Sequence, residues 1–259
     1  MTSVPSESKE EESRSHLSEL LKVEGKLALR EPTGLVMGIA VPIVLLVVFG
    51  LIGIASPGNV ANTGFTVLDL YVPVIMVFAF IFLGIYILPV TLVRYREMGW
   101  LRRVSTTPES PSRLLGAQMS VNLVLALASI LIVIFGSESI FGAPLDVSIP
   151  YFVLSVVLSI AVIFSLGLVV AALAPSQSVA TGLTGGLAFL LLFLSGLWVQ
   201  PAQVGGPLAT IMYYSPSGAA ARVLLDSVFG ATPPLTAVVT MVSYALIFSF
   251  IAIRYFRWE

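Results

Sequence analysis

Side chains suited to catalysis are scarce in this sequence. The chain has no cysteine and a single histidine, His16, in a polar N-terminal segment. A serine hydrolase or a zinc protease inside a membrane needs a histidine at membrane depth, and an aspartic protease needs two facing carboxylates. Asp69 offers one carboxylate at the edge of an apolar run, where a capping or solvated role competes with an intramembrane one. We therefore predict that the chain is not an enzyme and has no catalytic residue, no metal site and no cofactor of its own.

Six apolar runs dominate the sequence, which is 57% hydrophobic and 10% charged. Each run reaches the roughly 20 residues that a helix needs to cross about 30 Å of hydrocarbon. A large soluble core is disfavoured, because soluble proteins have far fewer such runs. We predict an all-α membrane protein with six transmembrane helices, at residues 35–55, 70–93, 114–135, 150–174, 179–198 and 235–253.

Lysine and arginine residues predict the orientation of these helices. Of the thirteen, five precede the first run, five lie between the second and third, two follow the sixth, and the last is Arg222. Because cytoplasmic loops carry the excess of basic residues, the N and C termini and the second loop are predicted to be cytoplasmic. The connection 199–234 is then external.

The N-terminal region precedes the first run. Residues 1–16 are acidic and rich in serine, which predicts a disordered cytoplasmic tail. Residues 17–31 have an apolar helical face opposite lysines, which predicts an amphipathic helix in the membrane interface; a solvated helix is the alternative. We single out its charged residues Glu24, Lys26 and Arg30, of which Glu24 falls within the apolar stripe.

The second loop has charged and aromatic residues beside the membrane. Pro108 limits its first part to a helix of about two turns, because proline lacks a backbone donor and restricts the residue before it. Trp100 offers an apolar contact, and Glu97, Arg102 and Arg103 offer polar contacts to a soluble partner. Composition alone leaves an ordinary basic loop equally open.

The external connection contains two short amphipathic or apolar segments, neither of which is long enough to span. We predict that they dip back into the outer leaflet, where surrounding protein covers their backbone; surface helices are the alternative. Arg222 and Asp226 are four residues apart and can pair on one helical face.

The predicted spans are nearly uncharged, which favours an amphipathic or lipid-like substrate over a bare ion. Aromatic residues in two of the spans are candidates for the substrate pathway, although packing or lipid contact is an alternative for them. They are Phe78, Phe82, Phe189 and Phe193.

Residues 95–104, which read YREMGWLRRV, resemble a known segment when taken with Thr107-Pro108 and with 110–115. The segment is the RE-x-G-x-L-x-x-L-x-x-T-P motif of type-2 ATP-binding-cassette (ABC) exporter permeases, where it forms the coupling helix. Pro42 in the first run and 214–216 (YSP) in the last outer loop extend the resemblance to residues 17–259, as one transmembrane domain. Trp100 stands where that family often has a threonine, and Val104 replaces its usual leucine.

The resemblance implies a multi-pass permease subunit in a bacterial inner (plasma) membrane, exporting a drug-like or lipid-like substrate. It also implies a dimer with an identical or paralogous permease, in contact with membrane lipids and two separate ATPase subunits. ATP and Mg would be bound by those subunits, since this chain has no G-x-x-x-x-G-K-[ST] sequence. No nucleic acid partner is predicted. The implied coupling-helix contacts are Arg96, Glu97, Gly99, Trp100, Arg102 and Arg103, and the implied external gate contains Tyr214, Pro216, Arg222 and Asp226.

Two other classes of function stay open. An ion-coupled secondary transporter is disfavoured by the lack of charge within the spans. A membrane scaffold that transports nothing is disfavoured by the two external segments that are too short to span.

Overall fold

The computed structural model of the chain describes residues 32–56, 58–60, 65–98 and 111–255. Within these ranges the chain is helical apart from short connections and one isolated bridge between Asp146 and Phe229. The predicted tail 1–16, the interfacial helix 17–31 and most of the coupling segment, residues 99–110, lie outside the described residues.

Six helices in the described part of the chain are long and apolar enough to cross a membrane, as the six apolar runs predicted. Between the fifth and the last of them lie a single helical turn, Pro201–Val204, and two longer helices, all too short to span. In chain order the helices are α1 (Thr33–Ala55), α2 (Val67–Glu97), α3 (Leu115–Phe141), α4 (Ile149–Leu173), α5 (Gln177–Leu194), α6 (Gly206–Tyr214), α7 (Pro216–Val228) and α8 (Leu235–Tyr255).

Helix α2 lies at the centre of the bundle. Every residue from 72 to 81 is buried, and Ile75, Met76 and Phe80 are among the largest fully buried side chains. A helix that is covered on all sides needs no polar face, which explains its uninterrupted apolar sequence. At the start of α2, Asp69 and Thr66 exchange side-chain and backbone hydrogen bonds in a capping box, so the capping role weighed for Asp69 is the one the structure has.

Two of the spanning helices contain a π-helical segment shortly before a proline. In α1 the segment Val36–Ala40 precedes Pro42, and in α2 the segment Phe82–Ile87 precedes Pro89. Proline removes a backbone donor and its ring crowds the carbonyl four residues earlier, and a π turn is one way in which a helix accommodates such a break.

Glycines set the distance between helices at two places around α2. A Cβ atom on Gly38 of α1 would lie 2.9 Å from the side chain of Leu83, and one on Gly167 of α4 would collide with the carbonyl oxygen of Gly84. Both helices therefore approach α2 as closely as they do because no side chain intervenes.

We name the two ends of the bundle by their residues. The basic end contains Arg94 and Arg96, together with the C-termini of α2 and α4 and the N-termini of α3 and α5. The opposite end contains α6 and α7. Side-chain hydrogen bonds tie the latter pair to three spanning helices: Ser217 Oγ donates to Leu191 O of α5, Ser155 Oγ of α4 donates to Val223 O, and Tyr244 OH of α8 donates to Tyr214 O, at 2.6, 3.0 and 3.1 Å.

Candidate functional site

Arg96 lies in the last turn of α2 and reaches the C-terminal end of α4. Its guanidinium donates one hydrogen bond to Ala171 O at 3.3 Å and another to Ala174 O. The last carbonyls of a helix lack partners within the helix and carry partial negative charge. A cation at this position satisfies them, so Arg96 is a C-terminal cap for a helix other than its own.

Glu97, the next residue, has the complementary contact with α5. Its Oε1 accepts a hydrogen bond of 3.0 Å from the backbone N–H of Gln177, the first residue of that helix. Ser176 caps the same end by accepting from the N–H of Val179 at 3.3 Å. A carboxylate is favourable at a helix N-terminus because the first N–H groups there are unpaired and carry partial positive charge.

The two neighbouring side chains, which we call the Arg96–Glu97 pair, thus hold the turn that joins α4 to α5. The end of α2 is thereby connected by polar contacts to two other spanning helices. Both residues were assigned from the sequence to contact with an ATPase, and the structure engages their side chains within the chain. Direct contact of these two side chains with an ATPase stays a prediction.

A pocket of about 410 Å³ opens at the basic end, between α1, α2, α3 and α5. Polar side chains from all four helices line it beside apolar ones. We call it the inner pocket; it is lined by Thr33, Gly34, Tyr86, Ile87, Val90, Thr91, Arg94, Gln118, Val121, Asn122, Leu125, Gln177 and Thr181.

Sequence reasoning missed the inner pocket. Gln118 and Asn122 are 8% and 2% exposed within α3, and Thr91 is 5% exposed in α2. The signal was present, since two amides four residues apart at the start of an apolar run lie on one helical face. This spacing does not distinguish residues that line a pocket from residues that contact a neighbouring helix.

The predicted gate residues lie at the opposite end. Ser215, between Tyr214 and Pro216, caps α7 by accepting from the N–H of Gly218 at 3.0 Å. The guanidinium of Arg222 lies 5.2 Å from the centre of the Tyr213 ring, a distance typical of a cation–π contact. Both residues line a second pocket of about 220 Å³ that also contains Gln200 and Pro201.

Asp226 lies one turn after Arg222 in α7. Burial raises the pKa of its carboxyl group above 3.8, and the positive charge of Arg222 lowers it by less. The predicted attraction between the two residues is therefore present, but it is weaker than the cost of desolvating the carboxylate.

The four phenylalanines proposed for a substrate pathway occupy two separate places. Phe78 and Phe82 pack against each other in α2, with ring centres 4.6 Å apart. Phe189 is 65% exposed on α5 and contacts Trp198, and Phe193 is half-buried one turn further along. The pathway stays a prediction.

Seven of the other predicted site residues lie outside the described residues, so the structure does not place them. These are Glu24, Lys26, Arg30, Gly99, Trp100, Arg102 and Arg103.

Comparison with known proteins gives one family. The family model described as "ABC-2 type transporter" matches residues 16–229 of the 259-residue chain. A search of curated proteins found no significant match.

Proposed function

This chain belongs to the ABC-2 type transporter family and is a permease subunit of an ABC transporter; we propose that it couples ATP hydrolysis by a separate ATPase to the export of an amphipathic molecule. Permeases of this family generally work with ABC ATPase subunits. We propose two such subunits and a second permease copy or paralogue in the complex, with the basic end facing the cytoplasm of a bacterial inner-membrane exporter.

The observation that supports coupling best is the Arg96–Glu97 pair. It lies at the end of α2, within the segment 95–104 that resembles a coupling helix, and it binds the turn between α4 and α5. A force applied to that segment by an ATPase would therefore act on three spanning helices together. Without the pair, the segment would be joined to the bundle through α2 and α3 alone.

The required energy sets a scale for this connection. Driving a two-state equilibrium from 1:99 to 99:1 takes about 5.5 kcal/mol of differential binding. Charge-assisted hydrogen bonds contribute about 1.5–3 kcal/mol net when their partners are well placed. The Arg96–Glu97 pair can therefore transmit a substantial part of that free energy.

An exposed glycine surface on α5 supports a second permease copy. Added Cβ atoms on Gly182, Gly185 and Gly186 would have no heavy atom within 4 Å beyond the helix itself. Small residues on an exposed helix face allow another helix to approach closely in a membrane. We propose that a second permease packs against this face.

Export is tested by reconstituting the chain with its ATPase subunit in proteoliposomes and following two amphipathic probes, rhodamine 6G and acyl-NBD-phosphatidylglycerol. ATP should drive movement of at least one probe, and an ATPase variant that binds but does not hydrolyse ATP should not support it. Movement driven by a proton or sodium gradient without ATP would instead identify a secondary transporter. A bound ATPase with no movement of these or other amphiphiles would favour a scaffold.

A further inference from the structure

The inner pocket is polar at a depth where the surrounding helices are apolar. Asn122 lies seven residues inside α3 and is almost fully buried, and Gln118 and Thr91 are nearly as inaccessible. Polar groups within a membrane are costly unless they have partners. Asn122 meets part of this need by donating to Gln118 O at 2.9 Å, but that contact does not account for four helices bringing polar side chains to one pocket.

The charge of the pocket indicates the class of ligand. Arg94 is the one charged residue among the described residues that line it, and no described carboxylate does so. Glu97, three residues further along α2, is engaged with the first N–H of α5. A guanidinium has five N–H donors in a planar fork that matches phosphate and carboxylate groups, so it can bind an anion while it keeps another partner.

Polarity changes with depth along the pocket walls. Arg94 and Gln177 lie nearest the basic end, whereas Tyr86 is two turns deeper in α2 and Leu125 nearly two turns deeper than Gln118 in α3. The pocket therefore has a charged, amide-rich mouth and an apolar inner wall. Its volume of about 410 Å³ falls within the range of small-molecule sites.

We propose that the inner pocket binds an anionic amphiphile, with a phosphate or carboxylate headgroup at Arg94 and the first part of its apolar chain along Tyr86, Val121 and Leu125. This deepens the proposed function, because it assigns a class of substrate to a site within one permease subunit. Binding itself requires neither nucleotide nor an ATPase, so it is measured separately.

The test uses one introduced thiol, since the chain has no cysteine. Thr181 is exposed and lines the pocket, so Thr181→Cys in the full chain is placed in nanodiscs and treated with the neutral reagent N-ethylmaleimide. Nanodiscs of phosphatidylcholine are compared with nanodiscs that also contain 20 mol% phosphatidylglycerol. Labelling should slow by about fivefold when four fifths of the pockets are occupied.

A second thiol controls for general effects of the anionic membrane. Ser120 lies between Gln118 and Asn122 on α3 but is exposed and does not line the pocket. Ser120→Cys should be labelled equally fast in both kinds of nanodisc. Equal slowing at both thiols would overturn the proposal, because it would show an effect of the surface rather than of the pocket.

Two further substitutions in the Thr181→Cys chain should each abolish protection, one by removing the cation and one by filling the space. They are Arg94→Gln and Gly34→Leu; Gly34 lines the pocket, and a Cβ there meets only Ile87 Cδ1, at 3.8 Å, an ordinary van der Waals distance. Matched controls are Arg254→Gln, an exposed arginine on α8, and Gly116→Leu, where an added Cβ meets open space. Protection that survives both pocket substitutions would overturn the proposal.

Binding of an amphiphile is distinguished from binding of a free phosphate by adding soluble glycerol phosphate to the phosphatidylcholine nanodiscs. Glycerol phosphate should protect Thr181→Cys much less than phosphatidylglycerol does, and equal protection would overturn the assignment of an amphiphile. Loss of ATP-driven transport with protection intact would count against the proposed function and not against the pocket. ATP-driven transport without protection of the Thr181→Cys thiol would count against the pocket and not against the proposed function.

Discussion

Removal of the Arg96–Glu97 pair should uncouple ATP hydrolysis from transport. The perturbation is Arg96→Gln combined with Glu97→Gln, which removes both charges, keeps the size of the side chain at residue 97 and shortens the one at residue 96. Arg96 loses two charge-assisted hydrogen bonds to the end of α4, and Glu97 loses its charge at the start of α5. The turn between these helices is then no longer held by the end of α2.

The expected size of the effect follows from these contacts. We take about 1.5–2 kcal/mol for Arg96, the lower end for bonds to charged groups because the side chain is half-exposed, and about 0.3–1 kcal/mol for the exposed Glu97 at a helix terminus. The total, about 1.8–3 kcal/mol, corresponds to about 20- to 150-fold in an equilibrium constant. If a full switch from 1:99 to 99:1 needs about 10⁴-fold, occupancy of the driven state falls from about 99% to between about 40% and 80%.

Two measurements check this. Probe movement per ATP hydrolysed in proteoliposomes should fall to about 40–80% of the parent value, with basal ATPase activity kept. Spin labels on Met98→Cys and Ser178→Cys, both at exposed positions, should give one narrow distance distribution in the parent protein and a broad one in the double variant. Arg254→Gln, which removes an exposed arginine from α8, should change neither quantity.

A double variant that keeps its transport per ATP and its narrow distance distribution would refute the reasoning. It would show that the turn between α4 and α5 stays attached to α2 through apolar contacts alone. A variant with lower ATPase activity and an unchanged ratio would also count against it, because reduced docking of the ATPase lowers the rate without changing the coupling.

Three more predictions concern packing, orientation and pH. Gly167→Ala should lower the apparent melting temperature of the purified protein, since its Cβ would collide with a carbonyl oxygen of α2, whereas Gly116→Ala should not, since its Cβ meets open space; similar losses for both would contradict this. A thiol at Met98 should resist a membrane-impermeant reagent added outside intact cells, and one at Gln203 should react; the reverse pattern would invert the topology. Asp226→Asn should raise the melting temperature at pH 7, because burial raises the pKa of the carboxyl group and the stability of the parent protein therefore falls as pH rises through that pKa. The difference in melting temperature between the two proteins should vanish below pH 3.8, where the carboxyl group is protonated in both the folded and the unfolded state. A lower melting temperature of the variant at pH 7 would contradict this prediction.

The sequence predicted the spanning helices because their signal is local. A run of about 20 apolar residues can satisfy its backbone in a membrane only as a helix or a closed barrel, and each of the six runs has a helix in the structure. The start of α2 was predicted three residues late, at residue 70, although Thr66 and Asp69 have the spacing of a capping box. The structure extends α2 four residues beyond the predicted end, to Glu97.

Features that depend on which helices contact each other could not be predicted from the sequence. The pairs Gly34/Gly38 and Gly182/Gly186 have the same spacing, yet the first faces α2 and the second faces open space. Nothing within either helix distinguishes these environments, because a glycine pair says only that close approach is possible. For the same reason the partners of Arg96 and Glu97, 75 to 80 residues away in the chain, were invisible in a segment that resembled an ATPase contact.

Helix α2 contributes both to the wall of the inner pocket and to the Arg96–Glu97 pair, and this has a thermodynamic consequence. Arg94 lines the pocket, and Arg96, two residues later, caps α4. If the ATPase changes the position of the end of α2, the pocket must differ between the two states, so an amphiphile there binds one state more tightly than the other. Linkage requires the effect to be reciprocal: the amphiphile must then shift the affinity of the complex for ATP by the same factor. A change in the affinity for ATP caused by the substrate would therefore need no contact between substrate and ATPase, only a common helix that both of them engage.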